Sequence, residues 1–272
     1  HVFSRSTQSS RCAILEPTGA GMRIEQAIQI FVEGFAMSRC RTHPYLVVPT
    51  APGLIVLRDA PRRSDQLRRS EAVIWGLSPR KADDLVRELP DPKLCVCAVT
   101  TATERPADWE REFKALGYRL QGNQPFFVAS VKQSEVAVST NVRRVLARSE
   151  FEAMRLADDG RPPLPLEKLE DESANWRTYA AWCGSVPVGH VSSIQTDARS
   201  SWVSNLFVHP DHRRKGLATA LMQTMLADDY RFGVRESVLL ATTAGARLYP
   251  HLGYEQIGLL QVFNPIDWAS RA

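Results

Sequence analysis

The stretch Leu206-Phe207-Val208-His209-Pro210-Asp211-His212-Arg213-Arg214-Lys215-Gly216-Leu217-Ala218-Thr219 decides how the rest of the chain is read. Its first three residues close an apolar run that begins near Ser200, and Pro210 stops pairing because it has no N–H to donate. A basic turn, Arg213-Arg214-Lys215, then meets Gly216 at the head of a helical pattern. The first N–H groups of a helix have no partner inside it, and the helix dipole makes that end positive. Gly216 lets main chain come close to a bulky anion, Ala218 is small enough for the same purpose, and Thr219 adds a hydroxyl one residue on. The segment reads as a cradle for a diphosphate. It is not a P-loop, which closes on Gly-Lys-Ser or Gly-Lys-Thr, and it lacks the three-glycine spacing of the dinucleotide fold.

Around this stretch the second half of the chain alternates strand and helix patterns. Val136–Thr140 reads as a short strand, Asn141–Asp158 as an amphipathic helix, and Asp159–Leu166, with its prolines, as a loop. Trp176–Trp182 and Val186–Gln195 read as strands joined by a hairpin at Cys183-Gly184-Ser185, and Ser200–Val208 as the next strand. Leu217–Asp228 is helical, Val238–Ala241 a short strand, Thr243–Leu252 a short helix and Tyr254–Phe263 a final strand. Hairpins followed by strand–helix–strand–helix–strand predict an α+β fold with a mixed sheet.

The first half echoes the second. Leu116-Gly117-Tyr118 superposes on Leu252-Gly253-Tyr254 at an offset of 136, each after a helical pattern and before a strand pattern. The glycine is the expected left-handed stop of a short helix. Half a chain of offset predicts duplication, with halves at 22–132 and 136–267 joined by the polar Lys132-Gln133-Ser134-Glu135. At the same offset Phe113 stands where Tyr249 does and Arg80 where Gly216 does, so the first half is expected to keep the fold and to lack the cradle. Residues 1–21 show no period and no signal-peptide core, and are read as a leader or remnant outside the fold.

Arg213-Arg214-Lys215-Gly216-Leu217-Ala218 resembles the Gln/Arg-x-x-Gly-x-Gly/Ala signature of the GNAT superfamily of acetyl-CoA-dependent N-acetyltransferases. Ala246-Arg247-Leu248-Tyr249-Pro250-His251-Leu252-Gly253-Tyr254 is similar to that family's second cofactor segment. The resemblance covers about 136–267 and reaches the first half only through the repeat. It implies two tandem GNAT-like domains, each a mixed, mostly antiparallel sheet flanked by helices, the first degenerate. It also implies that the sheet splays open between Ser200–Val208 and Val238–Ala241 and takes the pantetheine arm there. Main-chain groups of Leu206, Phe207 and Val208 would pair with that arm, and one amide would polarise the thioester carbonyl. Amides near Arg213, Arg214, Lys215, Gly216, Leu217, Ala218 and Thr219 would hold the diphosphate. Tyr249 would protonate the departing thiolate. Thr243 stands where the family often has Asn, a departure within the cofactor segment.

The reaction so implied moves an acetyl group from acetyl-CoA to a primary amine, on a small molecule or a peptide, by direct attack. The alternative is a CoA-binding regulator that acts through a protein partner. An alkylamine has a pKa of about 10.4, and holding it neutral near pH 7 costs about 4.6 kcal/mol, so a base should assist. His190 is the candidate, against the plainer reading of a satisfied strand histidine. Glu170, Asp171 and Glu172 read as a solvated acidic face.

Composition narrows the remaining classes. The 272 residues are 44% hydrophobic and 24% charged, with a net charge of +4, as in ordinary globular proteins. Without an apolar run of about 18 residues no membrane partner is expected, and without a concentrated basic stripe no nucleic-acid partner is. Five cysteines, among them the strand pair Cys95 and Cys97, are too few for a disulfide framework and lack metal-ligand spacing. A reducing cytoplasm and no metal are expected. The acceptor, the acyl preference and the oligomeric state are not legible in the sequence.

Overall fold

The computed structural model describes residues 22–40, 43–61, 68–89, 91, 94–133, 141–157, 164–169 and 175–266. The expected leader, the strand expected at Val136–Thr140, the acidic run and much of the 159–166 loop lie outside them. The first half contains α1 (Ile24–Arg39), β1 (Tyr45–Ala51), β2 (Leu54–Asp59), β3 (Glu71–Ile74), α2 (Pro79–Arg87), β4 (Cys95–Thr101), α3 (Pro106–Ala115) and β5 (Tyr118–Ser130). The second contains β6 (Val142–Arg144), α4 (Arg148–Ala157), β7 (Trp176–Cys183), β8 (Val186–Gln195), β9 (Ser200–Val208), α5 (Leu217–Arg231), β10 (Glu236–Leu240) and β11 (Glu255–Pro265). A one-turn 3-10 helix, Tyr249–Leu252, precedes β11. The fold is α+β, a large, mostly antiparallel sheet flanked by helices.

The eleven strands among the described residues form one sheet, in the order β1-β2-β3-β4-β11-β5-β10-β9-β8-β7-β6. The last strand of each half has crossed into the other. β11 pairs with β4, β5 pairs with β10, and β5 and β11 pair antiparallel at the centre. Their register obeys the repeat: Phe127↔Gln256 and Leu120↔Phe263 interchange at the offset of 136, as do Val128↔Glu255 and Arg119↔Asn264. Gly117 and Gly253, which end the two repeated segments, both take positive φ, 85° and 82°. The two Leu-Gly-Tyr motifs are thus related by an approximate twofold axis between the central strands.

The two faces of the sheet differ. On one face α1 and α4 cover a single core fed by both halves, from Leu57 and Cys97 to Trp176 and Trp202. On the other there are two cores. Leu221, Met225, Val203 and Tyr249 pack in the second half, and Leu54, Val86, Trp109 and Phe113 in the first. Buried Gln261 of β11 and Thr100 of β4 lie between them, and Gln261 Nε2 donates to Asn123 Oδ1 at 3.3 Å.

Helix α1 belongs to the first half but lies against β8, β9 and β10 of the second. The contact is close because Gly34 has no side chain: a Cβ there would sit 2.1 Å from Trp202 Cβ. Phe31, one turn earlier, packs its ring 5.2 Å from that of Trp202. Gly34→Ala is expected to lower stability by about 2–3 kcal/mol through overpacking. Gly122→Ala on β5, where a Cβ meets nothing within 4 Å, should be neutral or slightly stabilising. Thermal or urea unfolding of the two variants checks this.

Under α5, Arg177 and Asp229 form a fully buried ion pair at 2.7 Å. Ser193 Oγ and Ser201 Oγ donate to the same carboxylate at 2.8 and 3.0 Å. The pair ties β7, β8 and β9 to the last turn of the helix whose other end forms the cradle.

Three local expectations are corrected. The segment expected to be one helix over Asn141–Asp158 is a short strand, β6, followed by α4. Val142 and Val145 are buried against the sheet, and the Glu150 carboxylate accepts from the amides of Leu146 and Ala147, which places the helix start there. The helix expected at Thr243–Leu252 is reduced to turns and the 3-10 helix, since Pro250 supplies no N–H. The residue that corresponds to Gly216 in the first half is Ser78, the residue before α2, and not Arg80, which is exposed on that helix. The connecting loop runs His209–Lys215 in the second half and only Trp75–Leu77 in the first, so a constant offset misaligns the two.

Candidate active site

β9 and β10 run parallel and pair at Ser200↔Glu236, Ser201↔Ser237 and Trp202↔Val238, and then part. Beyond Trp202, β9 continues to Val208 with no strand paired on that side among the described residues. The divergence opens a cleft of about 740 Å³ lined on one wall by Val203 and Leu206–Val208, and on the other by Leu239, Leu240, Thr242 and Tyr249.

A bulge shapes the β9 wall. β8 and β9 slip register between His190 and Ser192, and Asn205 sits at φ 56°, a left-handed conformation that Asn tolerates. After the bulge His209 N–H donates to Val188 O at 2.8 Å. Strand alternation then turns the main-chain groups of Leu206 and Val208 toward the cleft. Val208 O is taken by Arg213 Nε at 2.9 Å, so the arginine side chain pins the strand end to the turn that follows.

The cradle closes the cleft at the start of α5. Arg214 at φ 63° and Gly216 at φ 76° are both left-handed, an arrangement that fans successive N–H groups toward one point. Ala220 N–H is the first to bond back, to Gly216 O at 3.0 Å. Among the described residues, no protein acceptor meets the amides of Arg214 to Thr219. A Cβ on Gly216 would stand in open space, with nothing within 4 Å. Six free amides, the Arg213 and Arg214 side chains that border the cleft, and a helix dipole therefore meet where an anion can enter, and these residues fit a diphosphate.

Of the residues singled out from sequence, Leu206, Phe207, Val208, Arg213, Arg214, Gly216, Leu217, Ala218, Thr219 and Tyr249 all line this one cleft. Lys215 does not; its Nζ caps Asp211 O at 3.0 Å. Thr243 is exposed outside the lining, whereas its neighbours Thr242 and Ala244 are part of it. Thr242 Oγ1 accepts from Gly245 N at 3.1 Å and fixes the turn. The sequence reading missed Thr242 and Asn205. Asn205 had a signal, an Asn interrupting an apolar strand, but a bulge cannot be placed without knowing the partner's register.

Tyr249 is 6% exposed, with its ring 5.5 Å from Phe127 and 5.7 Å from Tyr254. Burial alone pushes its phenol up to about 12. The group is therefore a proton holder throughout the neutral range. His190 is half-buried on β8, its ring 5.7 Å from that of Phe207, and it is not part of the cleft lining. Among the described residues no helix is long and apolar enough to cross a membrane. Among the same residues, no three His, Cys, Asp or Glu side chains are grouped as a metal site would need.

Residues 174–256, which span β7 to the start of β11, match the family model of the acetyltransferase (GNAT) domain. That stretch of the chain is similar to a GNAT domain. Solved structures agree at the level of fold. A GCN5-related N-acetyltransferase from Kribbella flavida superposes with a TM-score of 0.59 at 16% identity, covering 90% of this chain and 97% of that one. A protein of the same description from Sphaerobacter thermophilus gives 0.50 at 19% identity, over 78% and 80% of the two chains. A GCN5-related N-acetyltransferase-like protein from Streptococcus suis gives 0.52 at 13% identity, over 88% and 98%. A search of curated proteins found no significant match. The cleft lies within the matched stretch, where the central sheet parts.

Proposed function

We propose that the protein is an N-acyltransferase that moves an acetyl group from acetyl-CoA to a primary amine by direct attack. In this reading 136–267 is the catalytic domain and 22–132 a domain that has lost its cofactor site. The observation that carries it is the convergence of free amides, an open strand edge and a protonated phenol on one cleft.

Acetyl-CoA supplies the acyl group already activated as a thioester. The amides of Arg214 to Thr219 bind its diphosphate, with charge-assisted hydrogen bonds stronger than neutral ones. The cleft-facing amides of Leu206 and Val208 are suited to polarise the carbonyl, a contribution of about 3–4 kcal/mol where such a donor is preorganised. As the neutral amine adds to the thioester carbon and the C–S bond breaks, Tyr249 gives its proton to the leaving sulfur, and the proton shed by the nitrogen passes to solvent, from which the phenol is reprotonated. The acceptor amine would approach from the α1 side of the sheet, where Phe207 is exposed and helix α1 packs on β8–β10. On that placement the first half helps choose the amine.

The loss of a cofactor in the first half is supported by its own geometry. β3 pairs with β4 over its whole length, Glu71↔Cys95 to Ile74↔Ala98, so no wedge opens. Ser78 Oγ already caps α2 by accepting from Lys81 N, and Pro79 removes another amide. The regulatory alternative draws no support from a site in which the phenol lies beside the open cleft.

Turnover tests the reading. Thiol release from acetyl-CoA is followed with a panel of primary amines: polyamines, aminoglycosides, free amino acids, and peptides with α-amino or lysine groups. Tyr249→Phe is expected to lower kcat about 100-fold with little change in the KM for acetyl-CoA, the signature of a lost general acid. Unchanged kcat removes Tyr249 from the chemistry, and no turnover with any amine removes the enzyme reading.

A further inference from the structure

Tyr249 is one member of an aromatic trio that occurs twice. In the second half Tyr249 packs on Tyr254 at 5.7 Å and on Phe127 at 5.5 Å. In the first half Phe113 packs on Tyr118 at 5.3 Å and on Phe263 at 4.4 Å. Every member maps onto its counterpart at the offset of 136: Phe113 on Tyr249, Tyr118 on Tyr254, and Phe127 on Phe263. The strand exchange means that neither trio is made by one half. Phe127 comes from β5 of the first half and reaches Tyr249 of the second, while Phe263 comes from β11 and reaches Phe113 of the first.

The two trios differ in the one atom that matters for chemistry. Phe113 is fully buried and stacked at 27° on Phe263, a closed apolar packing. Tyr249 is tilted at 47° to Phe127 and borders the cleft. Phe127 is itself 2% exposed, and its strand is locked beside β10 by the register Phe127↔Leu239 and by Ala241 N donating to Pro125 O at 2.9 Å. The Tyr249 ring thus leans, tilted, against a buried side chain on a strand paired on both sides.

We propose that Phe127, supplied by the first half through the exchanged strand, is a positioning residue for the Tyr249 hydroxyl in the acyl transfer catalysed by the second half. This rests on the reading of Tyr249 as the proton donor. The degenerate half is then a working part of the active site: it provides the surface that fixes the acid's ring and keeps water from behind it.

The experiment is a double-mutant cycle on the full chain, read as thiol release from acetyl-CoA with the amines of the panel above. Phe127→Leu keeps an apolar side chain and loses the flat ring surface. It is expected to lower kcat about 10-fold, while the KM for acetyl-CoA changes less than about 2-fold. In the Tyr249→Phe background the same substitution should change kcat less than about 2-fold, because the group it positions is gone. Phe263→Leu makes the equivalent change in the other trio and is the fold control. It should lower the melting temperature about as much as Phe127→Leu and leave kcat near wild type. The pH profile gives a second readout: with its ring less covered, Tyr249 titrates closer to its ordinary value of about 10, so the kcat of Phe127→Leu falls at lower pH than that of wild type.

Equal losses of kcat from Phe127→Leu in both backgrounds, or an equal loss from Phe263→Leu, would show that the ring acts only through the fold and would overturn the inference. If Tyr249→Phe alone leaves kcat unchanged, the acid reading fails first and takes the inference with it. The two failures are therefore told apart by the single variants.

Discussion

Gly216→Arg is expected to abolish measurable acetyl-CoA binding while leaving the fold intact. Gly216 sits at φ 76° with open space where a Cβ would be, so substitution acts first on the space in front of the amides. An arginine there carries a long side chain into the cradle and strains the backbone by about 1–3 kcal/mol. The backbone relaxes by giving up the left-handed turn, and the amides no longer converge. Loss of two charge-assisted hydrogen bonds at about 2 kcal/mol each corresponds to roughly a 1000-fold weaker complex. Titration calorimetry with acetyl-CoA measures this directly, and circular dichroism confirms that the sheet survives. Gly216→Ala should fall between, since it adds strain and little bulk. Binding of Gly216→Arg with wild-type affinity would mean that the diphosphate lies elsewhere.

The second large effect concerns the halves. A chain of residues 136–267 alone is expected not to fold into a stable, ligand-binding domain. It would lack β5, which pairs with β10 on one side and β11 on the other. Two buried strands would then present bare edges, the arrangement that drives aggregation. The pocket wall behind Tyr249 would also be missing. Co-expression with 22–132 should restore a soluble complex that binds acetyl-CoA, because each fragment supplies the strand the other needs. Size-exclusion chromatography and acetyl-CoA titration of the separate and co-expressed fragments decide the matter. A soluble, monomeric and active 136–267 would rule out the dependence.

The sequence was most legible where structure is set by neighbours along the chain. β8 begins at Val186 and ends at Gln195, and β9 spans Ser200 to Val208, as alternation and the flanking turns indicate. The start of α5 at Leu217 follows from Gly216 and the apolar spacing of Leu217, Leu221 and Met225. The site was legible for the same reason, since one turn and one strand end carry most of it. Tyr249 came from resemblance, and its burial from neither motif.

What was not legible is what depends on distant partners. The alternation of β5 says that it is a strand and which residues share a face. It does not say whether β10 or β4 lies beside it. Thr243 was chosen by position in the cofactor segment, but the turn fixed by Thr242 Oγ1 rotates it out of the lining. Ser78 rather than Arg80 answers to Gly216 because the first-half loop is shorter, and loop length carries no period to read. Asn141–Asp158 looked helical because Val142 and Val145 also suit a helix face; only pairing of Val142 with Ala181 on β7 makes the first part a strand.

The exchange of β11 also bears on how the molecule comes into being. β4 pairs with β3 on one side but finds its other partner only in β11, as in Val96↔Phe263. Synthesis from the N-terminus leaves that margin of β4 unpaired until β11 has left the ribosome. Such long-range closure is slow, and the waiting intermediate is exposed to misassembly. The cleft cannot mature ahead of the last strand, because β5 is held in place beside Tyr249 by that strand. The cleft therefore completes only when β11 is in place, for both halves together.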